Sequence, residues 1–244
     1  LNLFKNIFAR FWAVWGLLSF VVTFLLFFIP SMCSHLFKDE KKGQAFFIQV
    51  SKIWMKVWMF LIGCRVEIYG EENMILGENY IVVFNHQSLM DIPLSAPFVP
   101  GVPNKTIGKS SFAKVPIFGW FYARGAILVD RKSEISRRKS YEDMKDVLQQ
   151  GMHMCIYPEG TRNRTSEPLK SFYDGAFKLS VDSHKAVLPC IIRGTEKALP
   201  VHRTFYLMPA TLSMTFLNPV HPENLSVGEL KEFVFDEMKR EILK

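Results

Sequence analysis

The stretch Tyr80-Ile-Val-Val-Phe-Asn85-His86-Gln-Ser88-Leu-Met-Asp91-Ile-Pro93 decides the reading of this chain. A short apolar, β-rich run ends abruptly on Asn-His-Gln-Ser, the pattern of a buried strand that stops at a turn. Ser88 is a good N-cap residue and Asp91 supplies an acid three positions on, so a helix is expected to open at Ser88. His86 then stands on the strand-to-helix turn. Five residues along one continuous helix rotate by about 140°, too far for two side chains to meet. With His86 on the turn and Asp91 in the first helical turn, they meet. A carboxylate on one imidazole nitrogen fixes the tautomer and leaves the other nitrogen free to take a proton. A His beside an Asp is also an ordinary structural hydrogen bond, so the pair needs company before it implies chemistry.

Outward from this stretch the texture is α/β. Val66–Tyr69, Tyr80–Phe84, Gly125–Val129, Met154–Tyr157, Ala186–Ile192 and Leu212–Phe216 read as strands, and Thr106–Ile107 ends another. Helices are expected over Glu134–Gln150, stopped by Gly151, over Ala176–Val181, and after Ser226. Strands alternating with helices predict a mixed sheet covered by helices. No repeat and no low-complexity linker interrupts it. The one domain boundary is expected near Gly63, giving a helical segment over 1–63 and an α/β domain over 64–244.

The N-terminal segment differs in kind. Phe11 to Ile29 is a run of 19 residues without a charge. At about 1.5 Å per residue it is long enough for a hydrocarbon core of about 30 Å. Its length and bulk, and the absence of a small-residue cleavage site at Pro30-Ser-Met-Cys33, argue against a cleavable signal peptide. In Phe46–Gly63, Gln49, Lys52 and Lys56 share one helical face, with Trp54 and Trp58 on the other side. An interfacial helix with Trp at headgroup level and snorkelling Lys fits this pattern. The expected arrangement is a hydrophobic two-helix membrane-associating hairpin, sunk in one leaflet or formed by one span plus a surface helix. Cations flank the first run on both sides, so the positive-inside rule gives no orientation. The first residue is Leu rather than Met, which leaves the native N-terminus open.

Composition narrows the partners. The 244 residues carry a formal net charge of +7 and 22 Phe. Without a nucleic-acid motif, an anionic membrane surface or a phosphorylated substrate is the expected partner. Cys33, Cys64, Cys155 and Cys190 show no C-x-x-C spacing and read as unpaired thiols facing a reducing compartment. Three N-x-S/T triplets, at Asn104, Asn163 and Asn224, mean nothing on a cytoplasmic face.

Three expected strands stop at polar groups: at Asn85-His86, at Asp130-Arg131, and at Glu159-Gly160-Thr161-Arg162. The crevice beyond the strand ends of an α/β sheet is the usual ligand site. Arg131 and Arg162 suit a phosphate by bidentate hydrogen bonds, and Lys109 adds a point charge. Competing motifs fail. Gly108-Lys-Ser has Pro103 where a P-loop needs its first glycine, and there is no G-x-S-x-G and no H-E-x-x-H, so no metal or further cofactor is expected.

Four blocks, Asn85-His86-Gln-Ser-Leu-Met-Asp91, Gly125-Ala-Ile-Leu-Val-Asp-Arg131, Tyr157-Pro-Glu-Gly-Thr-Arg162 and Val187-Leu-Pro189, resemble the ordered blocks of the glycerolipid acyltransferase family. Lys109-Ser-Ser-Phe-Ala-Lys-Val-Pro116-Ile-Phe-Gly119 is similar to the segment that links the first two blocks in 1-acylglycerol-3-phosphate acyltransferases. The likeness covers about Val66 to Pro189. It implies that His86 is the general base on the sn-2 hydroxyl of lysophosphatidic acid, oriented by Asp91. The hydroxyl attacks an acyl thioester, from acyl-CoA or acyl carrier protein, and phosphatidic acid forms on the cytoplasmic face of a membrane. The resemblance puts Glu159 and Gly160 on the acceptor and Arg131 on its phosphate; Thr161, Lys109 and Arg162 are added to the substrate site from their own places in the chain. Val187 and Pro189 are implied near the acyl donor, and Asn85 or a backbone N–H at the oxyanion. The chain departs from the family pattern at Tyr157, where Phe is common, at Asn163-Arg164, where Ser often follows the first Arg, and at Ser110-Ser-Phe112, where an acid and Leu are usual. Alternatives with the same chemistry are a lyso-ornithine lipid, another lysophospholipid or glycerol 3-phosphate as acceptor. From other classes, a non-catalytic lipid-binding membrane protein and a phosphate-ester hydrolase using His86 stay open.

Overall fold

The structure, a computed structural model, describes residues 2–244. Two long helices come first, α1 (Asn2–Met32) and α2 (Glu40–Leu61), joined by a 3₁₀ turn at Cys33–Leu36. α2 opens where Asp39 accepts the Lys42 N–H at 2.9 Å, an N-cap that satisfies one free donor of the first turn. Indole N–H groups tie the two helices together. Trp54 Nε1 donates to Thr23 Oγ1 at 2.9 Å and Trp58 Nε1 to the Gly16 carbonyl at 3.0 Å. Trp12 and Trp15 of α1 donate to the carbonyls of Ile62 and Leu61.

These contacts correct the expectation of Trp at headgroup level. Trp54 and Trp58 are 3% and 8% exposed and sit between α1 and the sheet. The helical wheel separates an apolar side from a Lys side, but it does not say whether lipid or protein covers the apolar side.

The rest is a seven-stranded mixed sheet in the order β1-β7-β6-β2-β5-β3-β4, as expected from the alternating pattern. The strands are β1 (Arg65–Tyr69), β2 (Ile81–Phe84), β3 (Asn104–Lys109), β4 (Ala126–Val129), β5 (His153–Ile156), β6 (Val187–Arg193) and β7 (Thr211–Phe216). Strands β6, β2, β5, β3 and β4 run parallel; β7 is antiparallel to β6, and β1 parallels β7. Helices α5 (Glu134–Gln149), α6 (Gly175–Ser183) and α8 (Val227–Ile242) cover one face, and the α1–α2 hairpin covers the other. Residues of β2 alternate between the layers: Val82 and Phe84 face the hairpin, Ile81 and Val83 face α5, α6 and α8. Burial on both faces explains why β2 is a continuous apolar run rather than an alternating one.

Two helices differ from the sequence expectation. The helix after His86, α3 (Asp91–Ser95), starts at Asp91 and not at Ser88. Ser88 Oγ instead accepts the Met90 N–H at 3.1 Å and donates to the Leu199 carbonyl at 2.7 Å, so Ser88 shapes the turn and anchors a distant loop. Helix α4 (Phe118–Gly125) had no sequence signal and absorbs Gly125, which was expected in β4. No side chain caps its start, and Ile117 before it takes φ of 62°, unusual for a β-branched residue. Short α7 (Thr195–Ala198) follows β6 directly. At the C-terminus, Ser226 and Glu229 form the expected capping box on α8.

Polar contacts lock the hairpin turn onto the sheet. Arg124 is 6% exposed; its guanidinium donates to Ser34 Oγ at 3.1 Å and to Glu40 Oε1 at 2.6 Å. Lys105 reaches the same Glu40 oxygen at 2.9 Å, and Gln44 donates to the Asn104 carbonyl.

Candidate active site

Five parallel strands end at one edge of the sheet, and the polar residues singled out in the sequence gather there. His86 follows β2, Lys109 ends β3, Asp130-Arg131 follows β4, and Tyr157–Arg162 follows β5.

His86 Nδ1 lies 2.7 Å from Asp91 Oδ2. The same oxygen accepts the N–H groups of Gln87 at 2.7 Å and Ser88 at 2.8 Å. Asp91 is 0% exposed, and its Oδ2 accepts two backbone N–H groups, so it faces His86 Nδ1 as an acceptor too. His86 Nδ1 therefore carries the proton, and Nε2 is the basic nitrogen. Among the described residues nothing hydrogen-bonds Nε2, and the side chain keeps 14% exposure. The imidazole packs on the Tyr157 ring with centroids 4.4 Å apart.

Glu159 holds the turn rather than facing the crevice. Its Oε1 accepts the His86 N–H at 2.7 Å and its Oε2 accepts the Lys170 N–H at 3.1 Å. Burial raises its carboxyl above the ordinary value, while these two N–H groups pull the other way. The His86 carbonyl accepts the Asn163 N–H at 2.6 Å. Both peptide groups of His86 are thus gripped by the loop after β5. Gly160 takes φ of 71°, and a Cβ there would lie 2.7 Å from Tyr173. Its carbonyl accepts from the Arg131 guanidinium, which carries the cation from β4 across to this loop. Strand spacing of about 4.8 Å puts the ends of β3 and β4 about 10 and 14 Å from that of β2. Lys109 stays exposed at the end of β3; Thr161 Oγ1 accepts from Lys170 Nζ at 2.7 Å, and Arg162 is half-buried.

Three residues singled out in the sequence lie elsewhere. The Asn85 amide is used up on one peptide of β6: Nδ2 donates to the Ile192 carbonyl at 2.9 Å and Oδ1 accepts its N–H at 2.7 Å. It is 1% exposed and presents no donor to an oxyanion. Val187 opens β6 at the opposite edge of the sheet, paired with Ile81 and buried against the α5–α6–α8 layer. Pro189 pairs with Val83 inside the same strand.

Other residues support the site although the sequence assigns them no role in it. Tyr157 OH is 2.6 Å from Ser95 Oγ and 3.1 Å from the Asp91 carbonyl, pinning α3 against β5. Burial and the nearby Asp91 charge hold this phenol well above its ordinary pKa, so it stays a donor. Asn163 accepts from the Thr165 N–H and hydroxyl at 2.9 and 2.7 Å, an Asx-turn. The Asn163-Arg-Thr triplet carried that signal all along, although its glycosylation reading hid it.

A His–Asp pair with an open basic nitrogen, a buried clamp and cations at one strand edge suit proton abstraction from a phosphorylated acceptor. The sequence profile of the Acyltransferase family matches residues 65–193, just over half of the chain and the whole of this site. The chain belongs to the Acyltransferase family. It is 30% identical over 200 residues to the 1-acyl-sn-glycerol-3-phosphate acyltransferase of Saccharomyces cerevisiae, covering 77% of this chain and 63% of that one. It is 28% identical over 143 residues to the enzyme of the same name from Borreliella burgdorferi, covering 58% and 56%. The chain thus spans less than two thirds of these relatives' length. The crystal structure of the 1-acyl-sn-glycerophosphate (LPA) acyltransferase PlsC from Thermotoga maritima superposes with a TM-score of 0.79 at 26% identity, over 100% of this chain and 97% of that one. That match covers the helical hairpin as well as the sheet.

Proposed function

We propose that this chain transfers a fatty acyl group from an acyl thioester to the sn-2 hydroxyl of lysophosphatidic acid, forming phosphatidic acid. The observation that carries the reading is the 2.7 Å His86–Asp91 contact at the end of β2, with Nε2 left open. Nε2 takes the proton of the acceptor hydroxyl as its oxygen attacks the thioester carbonyl. The tetrahedral intermediate collapses with release of thiolate, and the imidazolium returns the proton to sulfur. Thiolate leaves readily, so no acyl-enzyme is needed. Asp91 stabilises the imidazolium that forms between these steps. Arg131 meets the acceptor phosphate, with Lys109 and Arg162 adding positive potential at the same edge. The relatives named above act on acceptors of this kind, which supports the choice.

The lipid acceptor explains the exposed surface. Only 22% of the most apolar window of α1 is buried, and residues such as Leu18, Leu26 and Ile29 point outward. Phe112, Val115, Ile117 and Trp120 before and within α4 extend this apolar surface, with Trp120 stacked on Phe28 of α1. Seated in a membrane, the crevice takes its acceptor without drawing an acyl chain into water, a cost of about 0.8 kcal/mol per CH₂.

The test is turnover. Detergent-purified protein with lysophosphatidic acid and a long-chain acyl-CoA is expected to release free thiol and phosphatidic acid together. His86→Ala is expected to lose at least about a hundredfold in rate, the low end of a general base's contribution. Full activity in that variant rejects His86 as the base. Turnover with acyl carrier protein and not with acyl-CoA would settle the donor. Release of inorganic phosphate without acyl donor would replace transfer by hydrolysis.

A further inference from the structure

A groove of about 620 Å³, with no residue of the His86 site in its lining, lies between α2 and the edge strand β1. Its size is that of an ordinary ligand site. Lys52, Lys56 and Arg65 line it together with Met59, Val66, Ile68 and Phe98. Among the described residues no acid lines it. Arg65 Nε pairs with Glu67 at 3.2 Å, which leaves its two terminal nitrogens free. Lys52 and Lys56 stand four apart on one helical face, a like-charge spacing that weakens a helix. A bound anion would offset that repulsion.

The groove combines three cations, two from α2 and one from β1, with apolar side chains, beside a hairpin whose first helix exposes an apolar surface. Its position is fixed by the register. Arg65 pairs with Thr211 at the start of β7, and the next turn of that strand pairs with the end of β6. Arg65 therefore lies at the same end of the sheet as the catalytic crevice, but three strand spacings, about 14 Å, from β2.

We infer that this groove is a second lipid site, which holds an anionic phospholipid with its phosphate on Lys52, Lys56 and Arg65 and one acyl chain along Met59, Val66, Ile68 and Phe98. It is separate from the acceptor site that the acyl-transfer reading gives to His86 and Arg131. Its ligand need not react, so its role is to retain anionic lipid beside the crevice and to seat this corner of the protein in an anionic membrane.

The test is a lipid count by native mass spectrometry on detergent-purified full chain titrated with phosphatidic acid, phosphatidylcholine or inorganic phosphate. Wild type is expected to retain two molecules of phosphatidic acid. Arg131→Ala is expected to lose one, and Lys52→Ala/Lys56→Ala the other. At about fivefold per Lys, the double variant binds the groove lipid roughly twenty-fivefold more weakly. Its turnover in neutral detergent is expected to match wild type. Retention of both lipids by the Lys variant overturns the site. Equal retention of phosphatidylcholine overturns its selectivity for anions. Phosphate adducts that vanish in the Lys variant, with the lipid count unchanged, reassign the groove to a free anion. Acyl transfer by the same wild-type sample is read separately, so failure of the catalytic assignment is distinguishable from failure of the groove.

Discussion

At the scale of single residues, Asp91 and Glu159 are both buried carboxylates with different tasks. Asp91 touches the imidazole, so Asp91→Asn keeps the shape but removes the charge that sets the Nδ1–H tautomer. We expect kcat to fall at least about a hundredfold with little change in KM. Glu159 touches only backbone N–H groups of His86 and Lys170. Glu159→Gln turns one of its two acceptors into a donor facing an N–H. The expected loss of stability is about 1–3 kcal/mol, measured by denaturant unfolding, with a fall in kcat because His86 is no longer held. His153 is a third case. It is fully buried, with Nδ1 accepting the Tyr80 N–H at 3.0 Å and Nε2 at 3.1 Å from the Pro100 carbonyl. Burial lowers its pKa to about 4. The unfolded chain takes the proton at about 6.5, so this residue's contribution to stability is present in full above about pH 6.5 and is lost as pH falls towards 4. This one residue accounts for about 3 kcal/mol over that window. A thermal-unfolding series from pH 7 to pH 4 checks it, and a His153→Gln variant is expected to show a shallower decline.

At the scale of elements, the loop after β5 and the hairpin each do something that their sequences hide. The loop from Tyr157 to Lys170 is polar and Gly-containing, and it reads as a ligand loop. In the fold, Glu159 and Asn163 spend their hydrogen bonds on His86 and on the loop itself, so its first task is to hold His86 still. Asn163→Ala is expected to raise mobility of the His86 turn, with a drop in kcat and a smaller change in Tm than Glu159→Gln produces. The hairpin reads as a membrane element, yet Trp54 belongs to the main core alongside Val82, Phe84, Leu188 and Ile192. Trp54→Ala is expected to cost about 3–5 kcal/mol in unfolding experiments, the cost of emptying a core position. A tryptophan lying only in lipid headgroups would cost far less.

For the whole molecule the same core gives a sharper prediction. Deleting residues 2–63 removes Phe24, Trp54, Met55, Trp58, Met59 and Ile62 from one face of the sheet. The remainder is expected to aggregate, rather than to form a soluble catalytic domain, and circular dichroism with sedimentation checks this. The intact chain, with a net charge of +7, is expected to bind anionic vesicles more tightly than neutral ones, with the difference shrinking as salt rises.

The sequence by itself determined the strand-turn-helix at Tyr80–Pro93, the His86–Asp91 pair, the mixed α/β sheet, the long apolar N-terminal helix and the capping box on α8. Each follows from local periodicity or from residues within about five positions of one another, where chain geometry leaves few choices. Only the tertiary structure decided what Asn85, Glu159 and the two tryptophans of α2 do. Their partners lie 107, 73, 31 and 42 positions away. A buried amide or carboxylate takes whichever donor the sheet order brings to it, and that order joins β2 to β5 and β6 rather than to its neighbours in sequence. The same holds for Val187 and Pro189: their motif marks a strand, but which end of it meets the crevice depends on the direction in which that strand crosses the sheet.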